Sequence, residues 1–96
     1  MKPSAALDAH REEIRRVVEA HRASNPRVFG SVLYGTDTEE SDLDLLIDPA
    51  PDMTLLDIGG IIEDLQDVLG MKVDVLTPEC LPAKWRARVL AEAMPV

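Results

Sequence analysis

Apolar residues recur at helical spacing in two long stretches of the chain. The first stretch runs from Pro3 to about His21. The second follows Thr54, which has Asp57 three residues later as in a capping box, and Gly70 ends it. Its apolar positions are Ile58, Ile61, Ile62, Leu65, Val68 and Leu69. The pattern therefore predicts two amphipathic helices.

Three short apolar runs predict strands. They are Arg27–Phe29, Leu43–Ile47 and Lys72–Leu76. Leu43–Ile47 is apolar on both faces, which favours a central position in the sheet. Between the first two strands, Val32–Tyr34 predicts one helical turn closed by Gly35, and Thr36–Ser41 predicts a polar surface loop.

A last helix is expected after Leu81-Pro82, and Pro95 is expected to close the chain. Its apolar side would carry Trp85, Val89 and Leu90. The order helix, strand, strand, helix, strand, helix predicts an α/β fold of about two layers. Its 96 residues are enough for one domain, residues 1–96.

The adjacent glycines Gly59 and Gly60 lie inside the second helical pattern, where each costs about 1 kcal/mol relative to alanine. Close packing against a neighbouring element is the expected reason. His21, at the edge of the first stripe, is expected to be a packed or solvent-edge residue rather than a ligand.

The net charge of -8 is large for a chain of this length. An acidic surface repels the backbone of nucleic acids and favours a basic protein partner, although the same charge would also keep a small domain soluble. The single cysteine, Cys80, excludes an intrachain disulfide and a cysteine metal cluster. Without a signal peptide or a membrane-spanning run, a cytoplasmic protein with no membrane contact is expected.

Carboxylates inside apolar strands are the main chemical signal. Strand alternation puts Asp42 and Asp44 on one face, and Asp44 lies between leucines. Asp74 has the same setting between Val73 and Val75. Because an isolated buried charge is costly, a shared metal cluster would explain both strands. The alternative is an edge strand whose aspartate lies in water.

A Gly-Ser pair precedes these carboxylates at the end of the first predicted strand. Gly30 would let a phosphate approach the backbone, and Ser31 with the following amides would bind it. Magnesium prefers carboxylate and phosphate oxygens, so three aspartates and a nucleoside triphosphate could hold two Mg²⁺ ions. The pattern points to phosphoryl or nucleotidyl transfer.

The motifs Phe29-Gly30-Ser31, Asp42-Leu43-Asp44-Leu45 and Val73-Asp74-Val75, with ten residues between the first two, resemble a known family. It is the DNA polymerase beta-like nucleotidyltransferase superfamily, and the length points to its minimal nucleotidyltransferase (MNT) domains. The resemblance implies a short mixed β-sheet with helices packed mainly on one face.

The same resemblance implies an MntA-like antitoxin of a HEPN/MNT toxin–antitoxin pair. Such domains transfer AMP from ATP to a tyrosine of a HEPN ribonuclease toxin. By position, Gly30 and Ser31 would bind the nucleotide, and Asp42, Asp44 and Asp74 would be the catalytic and metal-binding triad.

The chain departs from the family pattern Gly-Ser-x-Ala-Arg-Gly at Leu33 and Tyr34. The missing arginine would have supplied a fixed positive charge near the phosphates. Arg27 could compensate, as could three basic residues of the last helix that are otherwise expected on its solvated face. These are Lys84, Arg86 and Arg88. Tyr34 is expected to be packed, with its hydroxyl at the rim.

Two functional hypotheses remain open on these residues. The first is a magnesium-dependent adenylyltransferase that modifies a partner protein. The second is a non-catalytic antitoxin that neutralises a basic helical partner by direct contact. Transfer of a nucleotide to a small molecule is disfavoured because no second domain is present to form that pocket.

Overall fold

The computed structural model describes all 96 residues, and a four-stranded mixed sheet lies at its centre. The strands are β1 (Ala23–Phe29), β2 (Leu43–Pro49), β3 (Val73–Leu76) and β4 (Met94–Pro95). Their order in the sheet is β3-β2-β1-β4. β2 pairs antiparallel with β1 and parallel with β3, while β4 pairs antiparallel with β1. The predicted central position of the second strand is confirmed.

Three of the five helices cover one face of this sheet. The helices are α1 (Pro3–Ala9), α2 (Arg11–Ala20), α3 (Ser31–Tyr34), α4 (Leu55–Leu69) and α5 (Ala83–Glu92), and a 3₁₀ turn spans Pro78–Cys80. The core between α1, α2, α4 and the sheet contains Ala6, Leu7, Ile14, Val18, Ala23, Val28, Leu43, Leu45, Ile47, Ile61, Leu65, Leu69, Val73 and Val75. The predicted α/β fold, with helices mainly on one face, is confirmed.

The first predicted helix is in fact two. His10 separates α1 from α2, with φ −128° and ψ 22°. Its N–H donates to the Ala6 carbonyl at 3.1 Å and its carbonyl accepts the Ile14 N–H at 3.0 Å, so the residue that ends α1 also begins α2. The apolar stripe does not reveal this break because both helices turn their apolar sides to the same core.

β1 begins earlier than the sequence predicts. Ser24-Asn25-Pro26, between the first predicted helix and the first predicted strand, lies inside β1, where the pairing with β2 is irregular between Ser24 and Arg27. Asn25 takes φ 51° at this irregularity. A proline is compatible with a strand at such a point because no ladder hydrogen bond is required of it.

The short strand β4 was not predicted. Pro95, which was expected only to close the chain, is part of this strand. Met94 and Pro95 pair with Val28 and Arg27 at the edge of the sheet. Val96 extends the contact, since its N–H donates to the Pro26 carbonyl at 2.9 Å. The C-terminal segment is therefore held against β1.

The helical glycines have different surroundings. A Cβ atom on Gly60 would lie 2.6 Å from Cε1 of His21, so the expected close packing is confirmed there. His21 packs at this point, and its Nε2 lies 2.7 Å from Oδ2 of Asp64 at the solvent edge. A Cβ on Gly59 would meet nothing within 4 Å, so packing does not explain that residue.

α5 contributes no buried residue, and Trp85 on its predicted apolar side is 47% exposed. The helix is held at its two ends instead, by the 3₁₀ turn and by β4. At the first end, the Arg86 guanidinium donates to the carbonyls of Pro78, Glu79 and Leu81. Arg86 is therefore not on a solvated face, contrary to the sequence expectation. No helix in the chain combines the length and apolar character that spanning a membrane requires.

Candidate active site

Strand register brings two of the predicted carboxylates side by side. Asp44 is the register partner of Asp74 across the parallel pair β2–β3. It is also the partner of Phe29 across β1–β2, so Gly30 follows directly beside it. Leu43, Leu45 and Ile47 point into the core, which leaves the alternate positions of β2 for the opposite face. We call this the carboxylate face.

Asp44 is the most perturbed titratable group on this face. Burial, followed by repulsion from Asp74 and Asp42, raises the pKa of the Asp44 carboxyl to about 6. Asp44 lies on the central strand and not in water at an edge. Asp74 does lie on an edge strand, β3, as the alternative hypothesis required, but its side chain is partly buried.

One basic side chain, that of Lys72, pairs with a carboxylate of the predicted site, that of Asp42. Lys72 Nζ lies 3.5 Å from Asp42 Oδ2, and the lysine side chain is 69% exposed. Such an exposed pair contributes little energy and can be displaced. Sequence analysis places Lys72 only at the start of a predicted strand, although its position directly before Val73, the partner of Leu43, could have indicated this contact.

The donor set on this face fits a divalent cation of the magnesium type. Ionised carboxylates offer only acceptor oxygens, and Asp44 and Asp74 have no basic partner within the chain. No three acidic, histidine or cysteine side chains converge as a ready-made ligand group. Repulsion from Asp74 and Asp42 helps to raise the pKa of Asp44, and a cation bound here would relieve this repulsion.

Gly30 touches the central carboxylate through its backbone. Its φ of 74° and ψ of −148° belong to a region that side chains rarely permit. A Cβ atom at this position would lie 2.2 Å from Asp44 Oδ2. Ser31 then begins α3. The Gly-Ser turn, which is predicted to bind the phosphates, therefore lies directly beside Asp44.

The loop between Ser31 and Asp42 is tied to the first helix. Asp37 is 8% exposed, although the sequence predicted a surface loop here. Its carboxylate accepts the Ser4 N–H at 2.9 Å. Hydrogen bonds from the backbone and side chain of Ser4 hold the pKa of Asp37 below its usual value. This contact holds the loop that follows α3 against α1.

Tyr34 connects α3 with α5. It is 56% exposed rather than packed, so that expectation is wrong, and its hydroxyl donates to Glu92. Glu92 also accepts from Nε of Arg88 at 3.2 Å. The hydrogen bond to Glu92 raises the pKa of Tyr34.

Arg27 does not replace the arginine that the family pattern would put at Tyr34. Its guanidinium lies 2.5 Å from Asp48 and donates to the Asn25 carbonyl. The side chain is 13% exposed, so this pair is a structural one.

The main surface cavity is separate from the carboxylate face. Its volume is about 270 Å³, and it lies where α1, α3, β1 and β4 meet. It is lined by Ser4, Leu7, Asp8, Arg11, Val28, Val32, Leu33 and Met94. None of the five predicted site residues is among these, so the cavity does not coincide with the predicted site.

Replacing Asp44 by asparagine should stabilise the protein at high pH. The folded-state pKa of about 6 lies above the ordinary value of 3.8, so the folded protein holds the proton more tightly than the unfolded chain. The stability of the natural protein therefore falls as pH rises from about 4 to about 6. Because the site is partly open, we expect Asp44→Asn to gain about 1 kcal/mol at pH 8 and almost nothing at pH 4.

Urea unfolding with a chelator present would measure this difference. Asp67→Asn, on the exposed side of α4, is the control and should change stability equally at both pH values. A gain for Asp44→Asn that is the same at pH 4 and pH 8 would contradict the assigned cause.

Comparison with known proteins identifies the class. A family model described as the nucleotidyltransferase domain matches residues 10–95. MJ0435 of Methanocaldococcus jannaschii, provisionally named a protein adenylyltransferase, is 33% identical over 88 residues, which is 88% of this chain and 95% of that protein. Protein adenylyltransferase MntA of Thermococcus cleftensis is 33% identical over 88 residues, covering 92% of this chain and 86% of the relative.

Solved structures agree with this assignment. One described provisionally as a minimal nucleotidyltransferase has a TM-score of 0.87 at 39% identity, covering 97% of this chain and 95% of that chain. A chain of a toxin–antitoxin crystal structure with AMP-PNP has a TM-score of 0.72 at 18% identity, over 86% of this chain and 68% of that chain. The second likeness concerns the fold.

The chain belongs to the nucleotidyltransferase domain family, and the predicted class of enzyme is confirmed. Within that family it is a minimal, MntA-like member, similar to proteins named as protein adenylyltransferases.

Proposed function

We propose that this protein transfers AMP from ATP to a tyrosine hydroxyl of a HEPN-type ribonuclease toxin and acts as its antitoxin. The observation that supports this most directly is the position of Asp44 beside Asp74, with Gly30 in contact with the Asp44 carboxylate. Similarity to protein adenylyltransferases supports the choice of reaction. The reaction would take place in the cytoplasm.

The carboxylate face would hold the nucleotide through its own residues and Mg²⁺. Gly30 lets a phosphate approach the backbone beside Asp44, and Ser31 offers a hydroxyl at the same turn. Asp42, Asp44 and Asp74 would hold the Mg²⁺ through their carboxylate oxygens. When bound, Mg²⁺ supplies positive charge against the α-phosphate and the pyrophosphate leaving group.

The transfer step forms one bond and breaks one. The tyrosine oxygen attacks the α-phosphorus of ATP, the bond to the β-phosphate oxygen breaks, and pyrophosphate leaves. The tyrosine proton must pass to a base, and Asp74, on the neighbouring strand, would be nearer the attacking hydroxyl and would help to activate it. Lys72 can leave Asp42 for a phosphate oxygen because their ion pair is exposed.

The partner class rests on the family resemblance. A chain of the same fold is present in the toxin–antitoxin structure with AMP-PNP, and this makes a toxin partner the first candidate to test. The net charge of -8 favours a basic partner.

ATP labelled on different phosphates tests the reaction. The purified protein is incubated with Mg²⁺ and the HEPN-type protein encoded beside it, using ATP that carries the label on the α- or on the γ-phosphate. We expect label on the partner from α-labelled ATP and none from γ-labelled ATP. Label from the γ-phosphate would indicate phosphorylation and contradict the proposal.

A binding module is the second candidate function, because the acidic surface alone could neutralise a basic toxin. Under that hypothesis, inhibition of the toxin would survive Asp42→Ala and Asp44→Ala together, with no label transferred. That outcome would replace the catalytic proposal.

A further inference from the structure

Two consecutive leucines in α4 are almost fully exposed. Leu55 is 85% exposed and Leu56 is 87% exposed. They belong to the first turn of a helix that is well defined, since Asp57 accepts the Thr54 N–H at 2.9 Å and Gly70 ends it in the left-handed conformation. The exposure is therefore not a consequence of a frayed helix end.

Gly59 follows on the same side of α4, one turn after Leu55. It is exposed, and a Cβ atom there would meet nothing within 4 Å. Its neighbour Gly60 is required by the close contact with His21. Nothing within the chain requires Gly59, although glycine destabilises a helix relative to alanine. A glycine in such a position is explained if the backbone of another molecule approaches it closely.

The exposed side of α4 becomes acidic beyond Gly59. Glu63 is one turn further along, Asp67 follows after another turn, and both are exposed. We define the α4 surface as Leu55, Leu56, Gly59, Glu63 and Asp67. Leu55, Gly59, Glu63 and Asp67 follow one another at four-residue spacing along the helix, and Leu56 lies beside this row.

The α4 surface is separated from the carboxylate face by the sheet. The opposite side of α4 is buried against the helix-covered face of the sheet through Ile61, Leu65 and Leu69. The carboxylates are on the other face of the sheet, so a molecule bound at the α4 surface leaves them uncovered.

We propose that the α4 surface is a docking site for a partner protein that offers an apolar pocket bordered by Lys or Arg side chains. Such a partner buries Leu55 and Leu56, brings its backbone close to Gly59, and pairs its basic residues with Glu63 and Asp67. A second copy of this chain is the weaker occupant, because each copy carries a net charge of -8 and the same acidic line. The choice of the HEPN-type protein as probe rests on the proposed function.

Binding of the purified HEPN-type protein, measured by calorimetry without ATP, tests this docking site. Leu56→Ser is expected to weaken binding by about tenfold or more, as for an apolar residue at the centre of an interface. Leu90→Ser, on the partly exposed side of α5, is the matched control and should bind like the natural chain. Glu63→Lys should weaken binding, and raising the salt concentration should weaken binding of the natural chain.

Gly59→Ala provides the sharpest measurement because two effects of opposite sign are expected. In the isolated chain it should raise the melting temperature by about 4–8 °C, since alanine favours the helix and the site has room. In the complex it should weaken binding by about fivefold, because the added methyl group holds the partner's backbone away. A misfolded variant would not combine a higher melting temperature with weaker binding.

The outcomes separate this inference from the proposed function. A partner that is labelled from ATP but binds Leu56→Ser and Gly59→Ala as well as it binds the natural chain overturns the docking site alone. A partner that binds through these residues but is never labelled leaves the docking site standing and contradicts the transfer. If the natural chain does not bind the HEPN-type protein, or forms a dimer that Leu56→Ser dissociates, the assigned occupant is wrong.

Discussion

Replacing Asp44 by alanine is expected to reduce transfer of AMP to the partner by at least about 10³-fold. Asp44 is flanked by Asp42 and Asp74, and it lies against the backbone of Gly30, so we expect a bound cation and the phosphates to meet at this residue. Loss of a ligand that concentrates positive charge at the transferred phosphate removes several kcal/mol of transition-state stabilisation. The rate of label transfer from α-labelled ATP measures the effect.

The loss of activity should occur without loss of the fold. Alanine removes a carboxyl group whose ionisation is opposed by burial and by two like charges, so the variant should be at least as resistant to urea as the natural chain at pH 8. Glu19→Gln, an exposed change on α2, is the control and should retain full transfer. Retention of more than about a tenth of the activity in Asp44→Ala would show that this carboxylate does not hold the reacting groups.

Replacing Gly30 by alanine is expected to cost about 3 kcal/mol of folding free energy and to abolish nucleotide binding. Two costs combine at this position. The backbone has φ 74° and ψ −148°, which is nearly exclusive to glycine, and the new Cβ would lie 2.2 Å from Asp44 Oδ2. A domain of this length has about 5–15 kcal/mol of stability, so the variant should fold but unfold at clearly lower urea concentration.

Gly35 offers a matched control for Gly30. It has a φ of 71°, but a Cβ atom there would meet nothing within 4 Å. Gly35→Ala should therefore lower the free energy of unfolding by only about 1 kcal/mol, because only the left-handed backbone conformation opposes the alanine.

A second comparison isolates the contact between Gly30 and Asp44. The cost of Gly30→Ala should shrink when Asp44 is also alanine, because the clashing carboxylate has been removed. An equal cost in both backgrounds would mean that the backbone conformation, and not the contact, is responsible.

The parts of this fold that were predictable depend on local pattern. The apolar spacing of α4 and its capping residues predicted a helix that the structure reproduces, and the unbroken apolar run of β2 predicted its central position. Aspartates inside apolar strands were conspicuous for the same local reason, since a strand interior is a poor place for an unpaired charge. The parallel register that places Asp44 beside Asp74 was not predictable in this way, because it depends on how β2 and β3 pair in the folded chain.

What was missed depends on contacts between distant residues. β4 pairs through only Met94 and Pro95, a segment too short to have a pattern of its own. Asp37 is buried by the first helix, and Lys72 reaches Asp42 from the neighbouring strand. The break at His10 is invisible because the helices on both sides share one apolar stripe. Such features need the tertiary arrangement.

The way in which α5 is attached has a consequence for the evolution of the family. Arg86 anchors the beginning of this helix to backbone carbonyls, β4 anchors the segment that follows it, and no residue between is buried. Substitutions along its exposed positions are therefore nearly free of packing cost. Descendants of this chain can change the surface of α5 one residue at a time while the core and the aspartates stay as they are.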